Sequence, residues 1–304
     1  MTPKQLRLIA KVLVVLLVAW GVSELVSRRS DKTLGQRLYT AVPRSQTDSI
    51  VIARDTDTIR LVRHPAYWSV NGQRASELEL EGFFKQLADT TPPEIAAESK
   101  AVHERMGLDS AKGRFVRVFS GGKPVIELIV GQRGPDYQSS YVRKPGEERA
   151  YLRLGPFAGF VDRGMDDWRE HHQANIPVDS ARRVDVTRHA RRYSLVRKDS
   201  TWQFSDGRPA EAVLVQRLLR NLSPSTATGF ATAEEAKKIS FRTPDLRVVV
   251  IGTHNDTLTH LRADSMPNGY WVQHDSGGPI FRNGVWVADE IAPHDSTLKG
   301  RSKK

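Results

Sequence analysis

The sequence predicts an α+β protein, an N-terminal transmembrane helix followed by two tandem repeats of an antiparallel β-meander with a packed helix. Three observations predict it. Short runs that alternate apolar and polar residues recur along the chain, as half-buried strands require. Two longer segments, Ser76 to Ala88 and Glu211 to Leu222, place apolar residues at helical spacing. The order of these runs within residues 48–170 returns within residues 180–293.

The first element is apolar from Leu8 to Val26, unbroken from Val12 through Val22, and preceded by Lys4, Arg7 and Lys11. Residues 1–29 therefore read as a single-pass anchor in the inner (cytoplasmic) membrane, contacting it through residues 8–26. Arg28, Arg29 and Lys32 oppose that orientation by the positive-inside rule, and Glu24 and Asp31 partly offset them. A terminal segment with a large domain after it acts as a signal anchor, which puts the bulk of the chain outside the cytoplasm, in the periplasm. A cleaved signal peptide shares this layout, and Gly21-Val22-Ser23 is the nearest candidate site for cleavage.

Residues 30–47 are polar and read as a linker. The first repeat then opens on Ser49–Ala53 and Ile59–Arg63, reaches Trp68-Ser69-Val70 and turns at Asn71-Gly72 into its helix. The second opens on Arg183–Val186 and Tyr193–Arg197, reaches Trp202-Gln203-Phe204 and turns at Asp206-Gly207. Trp68 and Trp202 are the expected core anchors. A β-hairpin follows in each: Phe115–Phe119 with Val125–Val130 about Gly121-Gly122, and Leu246–Ile251 with Leu258–Leu261 about Asn255-Asp256. The last hairpins are Tyr141–Arg143 with Ala150–Leu152, and Tyr270–Val272 with Ile280-Phe281, aligned Tyr141 to Tyr270. Residues 294–304 read as a solvated basic tail.

The chain carries a formal charge of +11 and no cysteine. The absence of cysteine excludes disulfides, thiolate metal sites and a cysteine nucleophile. The positive charge suits nucleic acid, anionic lipid or an acidic partner alike; an extracytoplasmic body points away from nucleic acid.

The strand pair ending in Trp68, the Met106-Gly107-Leu108-Asp109 segment before a strand, the Ile129-Val130-Gly131 strand end, Tyr141-Val142 and Trp168-Arg169 together resemble a bacterial family, domain of unknown function 4340. The resemblance runs from about Ile50 to Ala292. It implies an N-terminal anchor, an extracytoplasmic body and an association with gliding-motility-type ABC transporter components, and it carries no catalytic residues. The second repeat departs from the pattern, with Lys238-Ile239-Ser240-Phe241 in place of the Gly-Leu-Asp segment.

Three local patterns invite a sharper reading. His274-Asp275-Ser276-Gly277-Gly278-Pro279 resembles the nucleophile segment of chymotrypsin-like proteases, but it lacks the glycine two residues before the serine, and no general-base segment accompanies it. A hairpin turn accounts for it better. Asp162, Asp166, Asp167, Glu170, His171 and His172 match no metal-ligand spacing and, if helical, form a solvated face. The run from Arg182 to Arg192 forms either a positive stripe for phosphate or lipid head groups or, the preferred reading, a charged strand edge that discourages pairing. No phosphate-binding loop, dinucleotide fingerprint or zincin motif is present.

The expectation is therefore a non-enzymatic, membrane-anchored accessory or scaffold protein with a protein partner in the cell envelope, associated with an ABC-type transport system, and with no cofactor or metal. The alternative is a ligand-binding module that uses a groove between the two repeats, with Tyr137, Tyr141, Tyr270 and Trp271 as candidate contacts.

Overall fold

A computed structural model describes residues 37–54 and 57–299. The apolar segment 8–26 and the first part of the expected linker lie outside them. Among the described residues no helix is long and apolar enough to cross a membrane. The chain divides into two compact units, with the boundary between Glu170 and His171.

In the first unit the strands are β1 (Ser49–Ala53), β2 (Thr58–Arg63), β3 (Trp68–Val70), β4 (Gln73–Arg74), β5 (Glu94–Ala97), β6 (Arg114–Ser120), β7 (Lys123–Arg133), β8 (Ser139–Arg143) and β9 (Ala150–Leu154). They form one nine-stranded sheet in the order β4-β3-β2-β1-β6-β7-β8-β9-β5. Period-2 alternation sets its register: Ile50 lies between Leu61 and Val118, Ile52 between Ile59 and Val116, and all six are buried on one face. Helices α1 (Glu77–Ala88), α2 (His103–Met106) and α3 (Phe157–Val161) complete the unit. The side chain of Ser76 caps α1 by accepting from the Glu79 N–H, and the helix buries Leu80, Phe83, Phe84 and Leu87. These meet Trp68, Phe157 and the fully buried Trp168 in the main core.

The chain leaves β5 at the sheet edge and re-enters at β6 beside β1, so residues 98–113 must cross the sheet. They cross the face opposite α1. Met106 and Leu108 pack there on Ile129 and Tyr141, which alternate with the core residues Leu128, Val130 and Val142.

The second unit holds β10 (His172–Ala174), β11 (Ala181–Arg188), β12 (Arg191–Lys198), β13 (Thr201–Phe204), β14 (Ser225–Thr226), β15 (Gly229–Phe230), β16 (Leu246–Gly252), β17 (Thr257–Met266), β18 (Gly269–His274) and β19 (Gly277–Asn283), with helices α4 (Ala212–Asn221), α5 (Ala233–Ala236) and α6 (Val287–Ile291). Its main sheet runs β13-β12-β11-β16-β17-β18-β19-β15, the strand order of the first unit without the outermost β4. Each sheet is antiparallel, and β10 pairs with β14 separately.

Four local expectations need correction. Part of the expected linker belongs to the first unit: Leu38, Tyr39 and Val42 pack on its core, and Arg44 forms an ion pair with Glu77. The start of the expected tail belongs to the second unit: Leu298 is buried and Lys299 bridges to Ala210. In both stretches a few apolar residues find a core that polar composition obscures. Residues 162–172 are not a helix, because the 3-10 turn Asp166–Trp168 gives way to extended Arg169 and then β10. The part of the arginine run on β11 is no edge, since β11 lies between β12 and β16, whereas Arg191 and Arg192 precede the stretch of β12 that pairs with β13.

Candidate functional site

The arginine run sits on β11 and β12, joined at a tight hairpin in which Arg188 pairs with Arg191. His189 occupies the left-handed region (φ 51°), and its N–H donates to the Asp245 carbonyl at 2.6 Å, which ties the hairpin tip to the start of β16. Alternation along β11 turns Val184 and Val186 into the core and leaves Asp185 and Thr187 on the outer face.

On that face the register sets one row across four strands. Thr187 pairs with Arg192 on one side and Arg247 on the other, and Arg247 pairs in turn with Arg262. Directly opposed residues lie roughly 5 Å apart at Cβ, and like charges at that spacing repel. Arg262 is compensated by Asp275 at 3.3 Å and lies over the Phe241 ring. Arg192 and Arg247 have no carboxylate within ion-pair distance among the described residues, and neither has Arg242.

These three arginines line a cleft of about 550 Å³ with Thr187, His189, Thr243 and Asp245. Asp245 is its one acid. The Ser265 side chain and N–H, the latter at 3.0 Å, hold the Asp245 carboxyl below the usual carboxylate range, so it stays ionised and faces His189 at 3.4 Å. A second recess of about 310 Å³ shares Arg192 and adds Arg191, Tyr193 and His294. The Tyr193 hydroxyl donates to the Pro293 carbonyl at 2.6 Å, and burial pushes its pKa up, so it is a neutral wall. Arg188 points to the other face and is satisfied there by Asp289 and the Ala292 carbonyl. The cleft can therefore receive an anion: it offers three unpaired guanidinium groups and two hydroxyls, from β11, β12, β16 and the segment leading into β16, against one carboxylate.

The four candidate aromatics are spread over different surroundings. Tyr137 is 74% exposed in the β7–β8 connection. Tyr141 packs beneath the crossover of the first unit. Tyr270 packs on the core of the second unit, whereas Trp271 faces outward under the Arg282 guanidinium. Because Val142 pairs with Val130 and Val272 with Ala263, the structural counterpart of Tyr141 is Trp271, one residue from the alignment by chemistry.

The same register explains why the crossovers differ. Gly131 follows Val130 on β7, and a Cβ there would run into the Met106 carbonyl, so the backbone of the Met106–Asp109 segment lies directly on the strand. The matching position of the second unit is Asp264. There a recess of about 340 Å³ remains, lined by Lys238, Ile239, Ser240, Asp264 and Trp271.

His274–Pro279 forms the β18–β19 hairpin, with His274 paired to Gly277, and Asp275 is engaged by Arg262 and by His260 at 3.5 Å. Of the acidic and imidazole cluster, Asp162 bonds Arg114 at 2.7 Å, Asp166 bonds Arg169, and Asp167 accepts from the Gly164 N–H. Among the described residues no group of three or more His, Asp or Glu is placed to hold a metal. Sequence reasoning found Arg192 within the run but missed Arg242 and Arg247. The available signal was the outward phase of Arg247 in the Leu246–Ile251 alternation.

A family model described as a domain of unknown function, DUF4340, matches residues 68–244, from β3 of the first unit to the crossover of the second. No curated protein and no solved structure matches the chain.

Proposed function

Because the chain belongs to the DUF4340 family, a grouping that specifies a domain without an activity, we propose that it works by binding: a non-enzymatic accessory or scaffold protein, anchored in the inner membrane through residues 8–26, whose extracytoplasmic units engage a protein of the cell envelope. One observation carries the binding reading. Arg192 and Arg247 flank Thr187 on the open face of a sheet with no carboxylate within ion-pair distance among the described residues, and a like-charged row of this kind is stabilised by an anionic partner. The apolar residues 8–26, with Lys4, Arg7 and Lys11 ahead of them, support the anchor. The association with an ABC-type transport system rests on the family resemblance alone.

The test is crosslinking in native membranes with an epitope after Lys304, followed by mass spectrometry of captured proteins and protease accessibility on the same membranes. Capture of transporter subunits by a tag exposed on the extracytoplasmic side is the expected result. A cytoplasmic tag, or capture unchanged by charge reversal at Arg192 and Arg247, overturns the proposal.

A further inference from the structure

We infer that the Arg192–Arg242–Arg247 cleft is a binding site for a phosphate group, carried either by a lipid head group or by a free phosphate compound. This rests on the binding reading of the same face and names its ligand chemistry. Two features favour a phosphate over a carboxylate. The donors come from separate elements: Arg192 from β12, Thr187 from β11, Arg247 from β16, and Arg242 with Thr243 from the segment leading into β16. A tetrahedral oxyanion accepts from several directions at once, whereas a carboxylate is satisfied by one planar fork. The charges also match. Three guanidinium groups against the ionised Asp245 leave an excess that suits a group carrying up to two negative charges. The hydrogen bond from His189 N–H to the Asp245 carbonyl closes the site between hairpin tip and β16, so its arginines stand on ordered backbone. At about 550 Å³ the cleft has room for more than a bare phosphate.

The experiment uses the full chain in nanodiscs of phosphatidylcholine and reads binding of inorganic phosphate by calorimetry, with acetate at equal ionic strength as the carboxylate control. Phosphate is expected to bind well above acetate. The Arg192→Gln/Arg247→Gln variant is expected to lose about tenfold or more in affinity for each arginine. If that variant fails to fold, Arg192→Lys/Arg247→Lys retains the charge without the fork and is expected to give an intermediate loss. Arg117→Gln, on the first unit and paired with Glu127, is expected to bind phosphate as the parent does.

Repeating the titration in nanodiscs containing phosphatidylglycerol separates the two sources. Weakened phosphate binding means that the head group fills the cleft; unchanged binding means a soluble phosphate compound. No binding, equal binding of acetate, or binding indifferent to the arginine variants overturns the inference. Partner capture reports separately: arginine variants that lose the envelope partner while phosphate remains silent remove the phosphate and leave the accessory protein. Phosphate binding with no partner captured does the reverse.

Discussion

Gln173 and Asn283 face each other across the second unit and exchange two amide hydrogen bonds, Asn283 Nδ2 to Gln173 Oε1 at 2.9 Å and Gln173 Nε2 to Asn283 Oδ1 at 3.2 Å. Both are buried, and Gln173 also donates to the Ser225 hydroxyl, so the β10–β14 ribbon is fastened to β19 by a saturated polar knot. Gln173→Leu strands two buried partners and is expected to destabilise the second unit by about 1–3 kcal/mol. Gln173→Leu/Asn283→Leu is expected to recover part of that loss. Urea unfolding of the two variants and the parent checks both statements, and equal losses in the single and double variants would remove the knot as the cause.

Gly131→Ala tests how tightly the first crossover lies on β7. The new methyl group meets the Met106 carbonyl, and backbone cannot step aside as a side chain can. A loss of about 1–3 kcal/mol is expected from the overpacking. Asp264→Ala, at the matching position with an open recess beside it, is expected to be tolerated. Thermal melts of both variants decide it.

Arg153 is 3% exposed, and its guanidinium donates to the carbonyls of Gln86, Asp89 and Leu154. Two of these belong to the C-terminal end of α1, where unpaired carbonyls and the helix dipole favour a cation. Arg153→Leu fills the space but removes the cation from those oxygens, leaving Gln86 only the Asp89 N–H and Asp89 only the Tyr39 hydroxyl, and a loss of about 1.5–3 kcal/mol is expected. Hydrogen exchange should show the last turn of α1 opening first; uniform loosening of the unit would speak against the capping role.

Asp264 sets a pH dependence of opposite sign to the usual carboxylate. Burial, and then the charge of Asp245, raise its pKa. A raised folded-state pKa gives stability that is complete below the unfolded-chain value and is lost as pH rises through the folded value. Asp264→Asn is therefore expected to equal or exceed the parent in stability at pH 7, with the advantage shrinking on acidification. Melting profiles from pH 3.5 to 7.5 test this, and an advantage that grows toward low pH would refute it.

Much of the fold could be read from residues. Ser76 and the apolar spacing after it place α1 within one residue of its expected start, and Trp68 and Trp202 anchor the two cores as their place at the end of alternating strands implies. The crossovers at residues 98–113 and 231–245 were not legible, because a chain lying flat on a sheet has no period of its own. Equating Tyr141 with Tyr270 failed for a related reason. Chemical likeness pairs two tyrosines, while facing depends on hydrogen-bond register, which Val130 and Ala263 reveal only once the strands are paired. The arginine cleft was half legible: Arg192 stood in a conspicuous run, but Arg242 and Arg247 are distant in sequence and join it through the β11–β16 pairing.

The shared strand order bears on how the molecule is made. β1 meets β2 at once through a hairpin, but its other neighbour β6 is synthesised only after β5 and the crossover, and β11 waits in the same way for β16. During elongation each copy therefore spends time as a half-sheet with an open apolar flank, and such distant pairings are slow to form. While β11 waits, β6 of the earlier copy holds the same place in the strand order as the missing β16, and pairing with it would exchange the copies. Finishing the first copy before the second begins is the safeguard against exchange, and a mutation that slows closure of the first unit would be felt as entanglement of both.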